Sequence, residues 1–305
     1  MKNNKPYNRF FASIVAGIAR MQCTIHDHQR MKKQHDDALD LNIQKDICYS
    51  KDKKDRYHLL DIYQRKDADR MEPVIFVTHG GGGVYGTKDL NRYSDMVMAR
   101  LGYTVVAISY PLSPKAGFYT QLESILEAMG FCRKNQETYH FSFQRIYMVG
   151  DSAGGLLSLA FSLINASKKN RDLFEMEFEP FPIHALGLIS SASHLKRGNE
   201  STFMFSTGIH RNDIYLDCYK ELLDPTLMIK KDIMPPCVLI TSDHDFLKKD
   251  SYDLYECMKK NGIEVEFREY KSEDFRLEHV FPVTYPERKE SKDAFFLFDS
   301  FFQSC

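Results

Sequence analysis

Residues 145–155 read Arg-Ile-Tyr-Met-Val-Gly-Asp-Ser-Ala-Gly-Gly, a short apolar run that leads directly into a serine flanked by glycines. The apolar run predicts a β-strand buried on both faces, and residues 153–164 have the length and composition of an α-helix. Ser152 therefore lies at a strand-to-helix corner. Gly150 and Gly154 would let the two elements approach closely, because glycine has no Cβ. A serine presented by such a turn is a candidate nucleophile.

The bare pattern Gly-x-Ser-x-Gly is weak by itself, since average residue usage gives it by chance in roughly one chain in ten of this length. The competing interpretation is a strand-end turn whose small residues only permit close packing. Two other segments of the chain favour the catalytic interpretation.

The first of these segments, residues 73–87, combines a predicted buried strand with four consecutive glycines at 80–83. Glycines leave the backbone N–H groups uncovered, and N–H groups that converge on one point can form an oxyanion hole. The alternatives are a flexible glycine turn and a phosphate-binding loop. The spacing lacks both the P-loop pattern and the dinucleotide-binding fingerprint, so we favour an oxyanion loop.

The second segment lies in the C-terminal third and supplies a carboxylate and a histidine. Asp243 and Asp245 follow a predicted strand at 237–241, and His279 lies in the last loop before a C-terminal helix. A carboxylate can orient an imidazole that takes the proton of a serine hydroxyl. The chain order serine, aspartate, histidine is that of an α/β-hydrolase and differs from the order in chymotrypsin and subtilisin.

The rest of the chain alternates between strand and helix patterns, which is typical of a mostly parallel sheet with helices on both faces. We predict strands at 57–63, 74–79, 104–109, 145–150, 184–190, 237–241 and 263–270. We predict helices at 89–101, 119–135, 153–164 and 250–261, and a further helix at the C-terminus. Because loops at the carboxyl ends of parallel strands gather at one edge, the candidate catalytic loops are expected to meet there.

The chain resembles the hormone-sensitive-lipase-like group of α/β-hydrolase esterases over roughly residues 57–302. The resemblance is carried by three motifs: His79-Gly80-Gly81-Gly82, Gly150-Asp151-Ser152-Ala153-Gly154-Gly155, and Asp245-x-Leu247 with His279. A weaker match is the segment 109–115, in which Pro111 and Lys115 replace an arginine and a glutamate of that group. The resemblance implies an α/β-hydrolase fold with a helical cap.

The resemblance also implies a role for each candidate residue. Ser152 would be the nucleophile, His279 the general base and then the general acid, and Asp245 the group that fixes the imidazole tautomer. Asp243 competes for the acid role, but only Asp245 is followed by one residue and then a leucine, as in the family. The expected oxyanion donors are three backbone N–H groups, those of Gly81, Gly82 and Ala153.

We expect a single domain, 1–305, with a cap formed by approximately 1–50 and 191–232. Four apolar residues recur at helical spacing near the N-terminus: Phe10, Ile14, Ile18 and Met21. They predict an amphipathic helix that lies over an apolar surface. The same run faintly resembles a signal peptide without a convincing cleavage site, so a secreted protein is the weaker alternative to a cytoplasmic one.

Four residues are candidates for substrate contacts: Val84 and Tyr85 after the glycines, and Phe203 and Phe205 in the second cap segment. An apolar lining would select the acyl or alcohol part of a substrate by shape. The two phenylalanines could equally form the small core of the cap itself.

Composition narrows the class of protein. The chain has 305 residues, of which 43% are hydrophobic and 27% are charged, enough for one large core. Its net charge of −1 gives no electrostatic reason for a nucleic-acid partner. The N-terminal apolar run is too short for an integral membrane segment. Its seven cysteines lack C-x-x-C spacing, so we expect free thiols and no metal site. We also expect no cofactor.

The leading hypothesis is a serine hydrolase, lipase-like in sequence, that acts on small to medium acyl esters, with a homodimer as one option for its assembly. A peptidase or an acetyl-sugar deacetylase could use the same fold and residues. A non-catalytic ligand-binding homologue is the third option, as in the plant gibberellin receptors, which resemble this family but lack a working triad. All three triad candidates are present here, which disfavours that option.

Overall fold

An eight-stranded β-sheet organises the part of the chain that the computed structural model describes, residues 38–51, 55–68, 71–194, 221 and 224–305 with isolated positions between 14 and 34. Its strands are β1 Leu41–Cys48, β2 Leu59–Arg65, β3 Glu72–Thr78, β4 Thr104–Ile108, β5 Phe141–Asp151, β6 Ile183–Ile189, β7 Cys237–Ser242 and β8 Val265–Tyr270. The order across the sheet is β1-β2-β4-β3-β5-β6-β7-β8. The pairs β1–β2 and β2–β4 are antiparallel, and all other pairs are parallel.

Helices cover both faces of this sheet. They are α1 Arg92–Arg100, α2 Phe118–Lys134, α3 Gln136–Tyr139, α4 Ala153–Ala166, α5 Lys168–Leu173, α6 Lys248–Lys260, α7 Phe281–Thr284 and α8 Lys289–Ser304. Apolar residues of α2, α4 and α6 form one core with one face of the sheet, and those of α1 and α8 form a second core with the other face. None of the described helices is both long enough and apolar enough to cross a membrane.

Residues that alternate along the central strands point into the two different cores. Val74 and Phe76 of β3 lie in the first core, whereas Ile75 and Val77 lie in the second. This alternation follows from the two-residue period of a strand and explains the continuous apolar runs within the central strands, such as residues 74–77 of β3. The predicted mostly parallel sheet with helices on both faces is confirmed.

The structure corrects the predicted elements at the N-terminal side of the sheet. Strand β1 was not predicted from the sequence, and it takes residues 41–48 out of the segment 1–50 that we expected to form the cap. Its polar residues reflect its position at the edge of the sheet, with only one neighbouring strand. The expected strand at 57–63 begins later, because residues 56–58 form a 3₁₀ turn that the Asp55 side chain caps.

The N-terminal helix forms, but its predicted orientation is wrong. Residues 14, 16–18, 20, 21, 24, 27 and 31 are helical. Ile14, Ile18 and Met21 are 44%, 51% and 60% exposed, whereas Ala16 is 1% exposed. The small Ala16 faces the protein, and Arg20 donates hydrogen bonds to the carbonyl oxygens of Val84 and Ser113, each at 2.6 Å. Phe10 lies outside the described residues.

The corner between β5 and α4 holds Ser152 in a strained backbone conformation, with φ 52° and ψ −117°. The two flanking glycines make this corner possible. A Cβ at Gly154 would lie 2.0 Å from the carbonyl oxygen of Thr78, and one at Gly150 would lie 2.5 Å from the carbonyl oxygen of Gly154. Helix α4 therefore starts in direct backbone contact with the end of β3.

This close contact predicts that Gly154→Ala lowers the free energy of unfolding by about 3 kcal/mol or more, the upper range for an overpacked core. Urea denaturation followed by circular dichroism measures the loss. Gly130→Ala is the matched control, because a Cβ at Gly130 of α2 has no atom within 4 Å. That control should raise the free energy of unfolding by about 1 kcal/mol through helix propensity. Equal stability of Gly154→Ala and the natural protein would contradict the packing described.

Candidate active site

Three side chains from three separate loops form a continuous hydrogen-bonded chain. His279 Nε2 lies 2.9 Å from Ser152 Oγ, and His279 Nδ1 lies 2.7 Å from Asp245 Oδ1. Ser152 stands at the β5–α4 corner, Asp245 lies between β7 and α6, and His279 lies between β8 and α7. The structure thus brings together the three residues that the sequence singled out.

The carboxylate of Asp245 has donors on both oxygens. Besides the imidazole, Oδ1 accepts a hydrogen bond from the backbone N–H of Leu247 at 2.8 Å, and Oδ2 accepts one from Thr241 Oγ1 at 2.8 Å. Burial by itself would raise the pKa of Asp245, but the hydrogen bond and charge of His279 lead the effects that hold it below its usual value. Asp245 is therefore ionised, and it requires the Nδ1–H tautomer, which leaves Nε2 to accept the Ser152 proton.

Asp243 does not take part in this chain of hydrogen bonds. Its Oδ2 atom lies 3.8 Å from Nε2 of the neighbouring His244. The Asp245 carboxylate, by contrast, is fully buried against His279. The geometry favours Asp245 over Asp243 as the partner of the histidine.

Two serines that sequence reasoning missed hold the histidine loop in place. Ser190 Oγ accepts a hydrogen bond from the backbone N–H of Val280 at 3.0 Å. Ser242 Oγ contacts the carbonyl oxygens of Leu277 and Glu278 at 2.9 and 3.1 Å. Both serines stand at the carboxyl ends of strands, where a polar residue after a buried strand is the only signal in the sequence.

The glycine loop lies directly beside the candidate nucleophile. A Cβ at Gly80 would lie 3.2 Å from Cβ of Ser152. Gly81, Gly82 and Gly83 follow with φ values of 95°, 61° and 68°, a left-handed run that favours glycine. The backbone N–H groups of Gly81 and Gly82 donate to no acceptor among the described residues. The loop therefore has backbone donors available near Ser152.

Asp151 connects the glycine loop to the corner that carries Ser152. Its Oδ1 atom accepts hydrogen bonds from the backbone N–H of Gly80 at 3.0 Å and from Asn91 Nδ2 at 2.7 Å. Asp151 is 5% exposed, so these bonds are shielded from water. The structure gives Asp151 a supporting position, whereas the contact of Asn91 was not foreseen from the sequence.

His79 opens the glycine loop and is itself fixed by stacking. Its ring lies parallel to that of Tyr110, with centroids 4.2 Å apart and an interplanar angle of 6°. Its Nδ1 atom lies 2.8 Å from the carbonyl oxygen of Gly80, and the Tyr110 hydroxyl donates to the carbonyl oxygen of His79 at 2.5 Å. Burial lowers the pKa of His79 to about 4, so the imidazole is neutral near neutral pH.

The expected substrate contacts are only partly within the described residues. Val84 is 3% exposed, and its backbone carbonyl is held by Arg20. Tyr85 is partly buried, and its backbone N–H donates to the carbonyl oxygen of Gly81 at 3.0 Å. Phe203 and Phe205 lie outside the described residues. The role of these four residues in substrate binding stays a prediction.

A family model described as alpha/beta hydrolase fold, Abhydrolase_3, matches residues 75–281. The chain belongs to this family. The match begins in β3 and ends at the start of α7, so it spans the glycine loop and the loops that carry Ser152, Asp245 and His279.

Solved esterases share the fold of this α/β-hydrolase. Esterase B from Lactobacillus rhamnosis, inhibited by a tributyrin phosphonate, has a TM-score of 0.88 and 21% sequence identity, with 97% of this chain and 96% of that chain covered. The Pyrobaculum calidifontis esterase has a TM-score of 0.72 and 18% identity, with 98% and 99% covered. At these identities the likeness establishes the fold.

A curated relative is the alpha/beta hydrolase R526 of Acanthamoeba polyphaga mimivirus, which is 24% identical over 202 residues. The match covers 62% of this chain and 56% of the relative. The chain therefore spans little more than half the length of that relative.

The buried His79 predicts an acid-sensitive contribution to the stability of this α/β-hydrolase. Its pKa falls from 6.5 to about 4 on folding, so between these values the unfolded chain binds a proton that the folded chain does not. The free energy of unfolding is therefore highest above about pH 6.5 and decreases by about 3 kcal/mol in total as the pH falls toward 4.

The variant His79→Gln removes this titration. Between about pH 7 and pH 4.5, its free energy of unfolding should fall by roughly 2–3 kcal/mol less than that of the natural protein. Urea titrations at the two pH values measure the difference. The same fall in both proteins would show that His79 is not buried in its neutral form.

Proposed function

We propose that this α/β-hydrolase is a carboxylic ester hydrolase for small to medium acyl esters, with Ser152, His279 and Asp245 as its catalytic triad. The observation that carries the proposal is the single imidazole of His279, whose two nitrogens contact Ser152 Oγ and Asp245 Oδ1. A serine hydroxyl is a weak nucleophile unless a base takes its proton during attack. His279 is within reach to do so.

Acylation follows from this arrangement. As Ser152 Oγ attacks the carbonyl carbon of the ester, its proton passes to His279 Nε2, and the carbonyl oxygen becomes an oxyanion. The backbone N–H groups of Gly81, Gly82 and Ala153 are the proposed oxyanion donors, and loss of one such donor typically costs ~3 kcal/mol. The intermediate then breaks its bond to the alcohol oxygen, which takes the proton from Nε2.

Deacylation repeats these steps with water as the nucleophile. His279 accepts a proton from the water molecule as its oxygen attacks the acyl-enzyme, and it then returns a proton to Ser152 Oγ as the acid leaves. Asp245 remains ionised throughout and stabilises the imidazolium that forms in both half-reactions. Its lowered pKa supports this role, because only the ionised carboxylate has the negative charge that stabilises the imidazolium.

The shared fold of esterase B from Lactobacillus rhamnosis supports the choice of substrate. That structure contains a tributyrin phosphonate, which mimics an ester of a short acyl chain. We propose a similar preference for short acyl chains here. We also propose that the N-terminal helix is part of a cap, because Arg20 of this helix binds two loops next to the glycines.

A series of p-nitrophenyl esters of increasing acyl length tests the proposed activity. The natural protein should hydrolyse the short and medium esters, and Ser152→Ala should lower kcat/KM at least about a thousandfold. Undiminished hydrolysis by Ser152→Ala would mean that the nucleophile is another residue. If the natural protein turned over no ester of the series, the hydrolase proposal would fail.

A pair of matched substitutions tests the acid of the triad. Asp245→Asn should lower kcat by about 10³- to 10⁴-fold, because the amide favours the wrong imidazole tautomer. Asp243→Asn, two residues away on the same loop, should change kcat by no more than a few fold. Steady-state kinetics on p-nitrophenyl acetate measures both, and the reverse ranking would transfer the role to Asp243.

A further inference from the structure

Phe246 is an exposed aromatic residue in contact with the candidate catalytic histidine. It directly follows Asp245, and its ring centroid lies 4.1 Å from that of His279, with an angle of 39° between the planes. The residue is nevertheless 75% exposed. One face of the ring therefore lies against the imidazole, and most of the side chain remains open to contacts from outside.

Packing of the protein core does not account for this position. Neither of the two apolar cores includes Phe246. The phenylalanines of the nearby histidine loop differ, since Phe281 is fully buried and Phe275 packs edge-on against Tyr285 at 4.8 Å. Among the described residues, His279 supplies the ring contact that Phe246 makes. An apolar side chain held at this place is available to a substrate.

The path of the proton during catalysis decides which part of an ester would reach Phe246. His279 Nε2 takes a proton from Ser152 and, in the same half-reaction, gives it to the oxygen of the leaving alcohol. That oxygen must come within hydrogen-bond distance of Nε2, about 3 Å. The group attached to it then lies next to the imidazole, and Phe246 is the aromatic ring in contact with this imidazole.

We propose that Phe246 is a specificity residue for the alcohol part of the substrate, and that the protein prefers esters of flat, apolar alcohols such as benzyl alcohol. This inference rests on the proposed ester hydrolysis. An aromatic alcohol group can stack on the open face of the Phe246 ring, whereas a methyl group is too small to cover it. The acyl group lies on the other side of the scissile bond from the alcohol, with its carbonyl oxygen directed to the proposed donors of the glycine loop, so we expect its selection to be independent of Phe246.

The test compares benzyl acetate with methyl acetate, two esters with the same acyl group whose alcohols are of similar acidity. The ratio of their kcat/KM values is measured for the natural protein, Phe246→Ala and Phe246→Leu. The natural protein should favour benzyl acetate. Phe246→Ala should lower the ratio by roughly threefold to tenfold, the range typical of an aromatic pair, and Phe246→Leu should lie between the two.

Two controls separate this effect from general damage. Phe296→Ala removes another exposed phenylalanine, 57% exposed on α8, and should leave the ratio unchanged. The ratio for benzyl butyrate against benzyl acetate, which reports acyl selection, should be the same in the natural protein and in Phe246→Ala. Circular dichroism checks that each variant is folded.

The possible outcomes distinguish this inference from the proposed function. If Phe246→Ala keeps the benzyl-to-methyl ratio of kcat/KM of the natural protein, whether or not kcat/KM falls equally for both esters, the role of Phe246 in alcohol specificity is overturned. The proposed ester hydrolysis then still stands. If the natural protein hydrolyses neither ester and no p-nitrophenyl ester, both proposals are overturned.

Discussion

The backbone contact between the start of α4 and the end of β3 is the constraint on which the rest of the site depends. Because Gly154 meets the carbonyl oxygen of Thr78, the chain can turn from β5 into α4 within one residue, and Ser152 takes the strained conformation at that turn. The same contact brings the glycine loop that follows β3 beside Ser152. The candidate nucleophile and the candidate oxyanion donors are therefore positioned by a single packing arrangement.

Buried polar groups then fix the loops around this corner. Asp151 accepts a hydrogen bond from the backbone N–H of Gly80 and so links the glycine loop to the β5–α4 corner. His79 is neutral because burial lowers its pKa to about 4. Asp245 stays ionised because the hydrogen bond and charge of His279 outweigh its burial. The ionised Asp245 accepts the Nδ1–H of His279, so Nε2 of the same imidazole is available as an acceptor for the Ser152 hydroxyl.

The sequence predicted those parts of the fold and the site that leave a periodic pattern or a known motif in the chain. Apolar runs predicted the strands of the sheet, and the glycines predicted the strand-to-helix corner and the glycine loop. Chain order and the family motif predicted Asp245 and His279. It could not predict Ser190, Ser242 and Asn91, since a single polar residue at a strand end or in a turn has no pattern. It missed β1, an edge strand with polar residues. It also turned the wrong face of the N-terminal helix toward the protein, because the spacing of apolar residues separates two faces of a helix but does not show that Arg20 binds to the loops beneath it.

Ser152 is the residue that we propose to carry the acyl group. An alkylphosphonate that reacts with activated serines, followed by peptide mass mapping, tests it most directly, since the phosphonate remains attached where the acyl group would be. We expect one phosphonate per chain, on the peptide that contains Ser152. An adduct on a different residue, or hydrolysis of esters by a protein that the phosphonate neither labels nor inhibits, would contradict it.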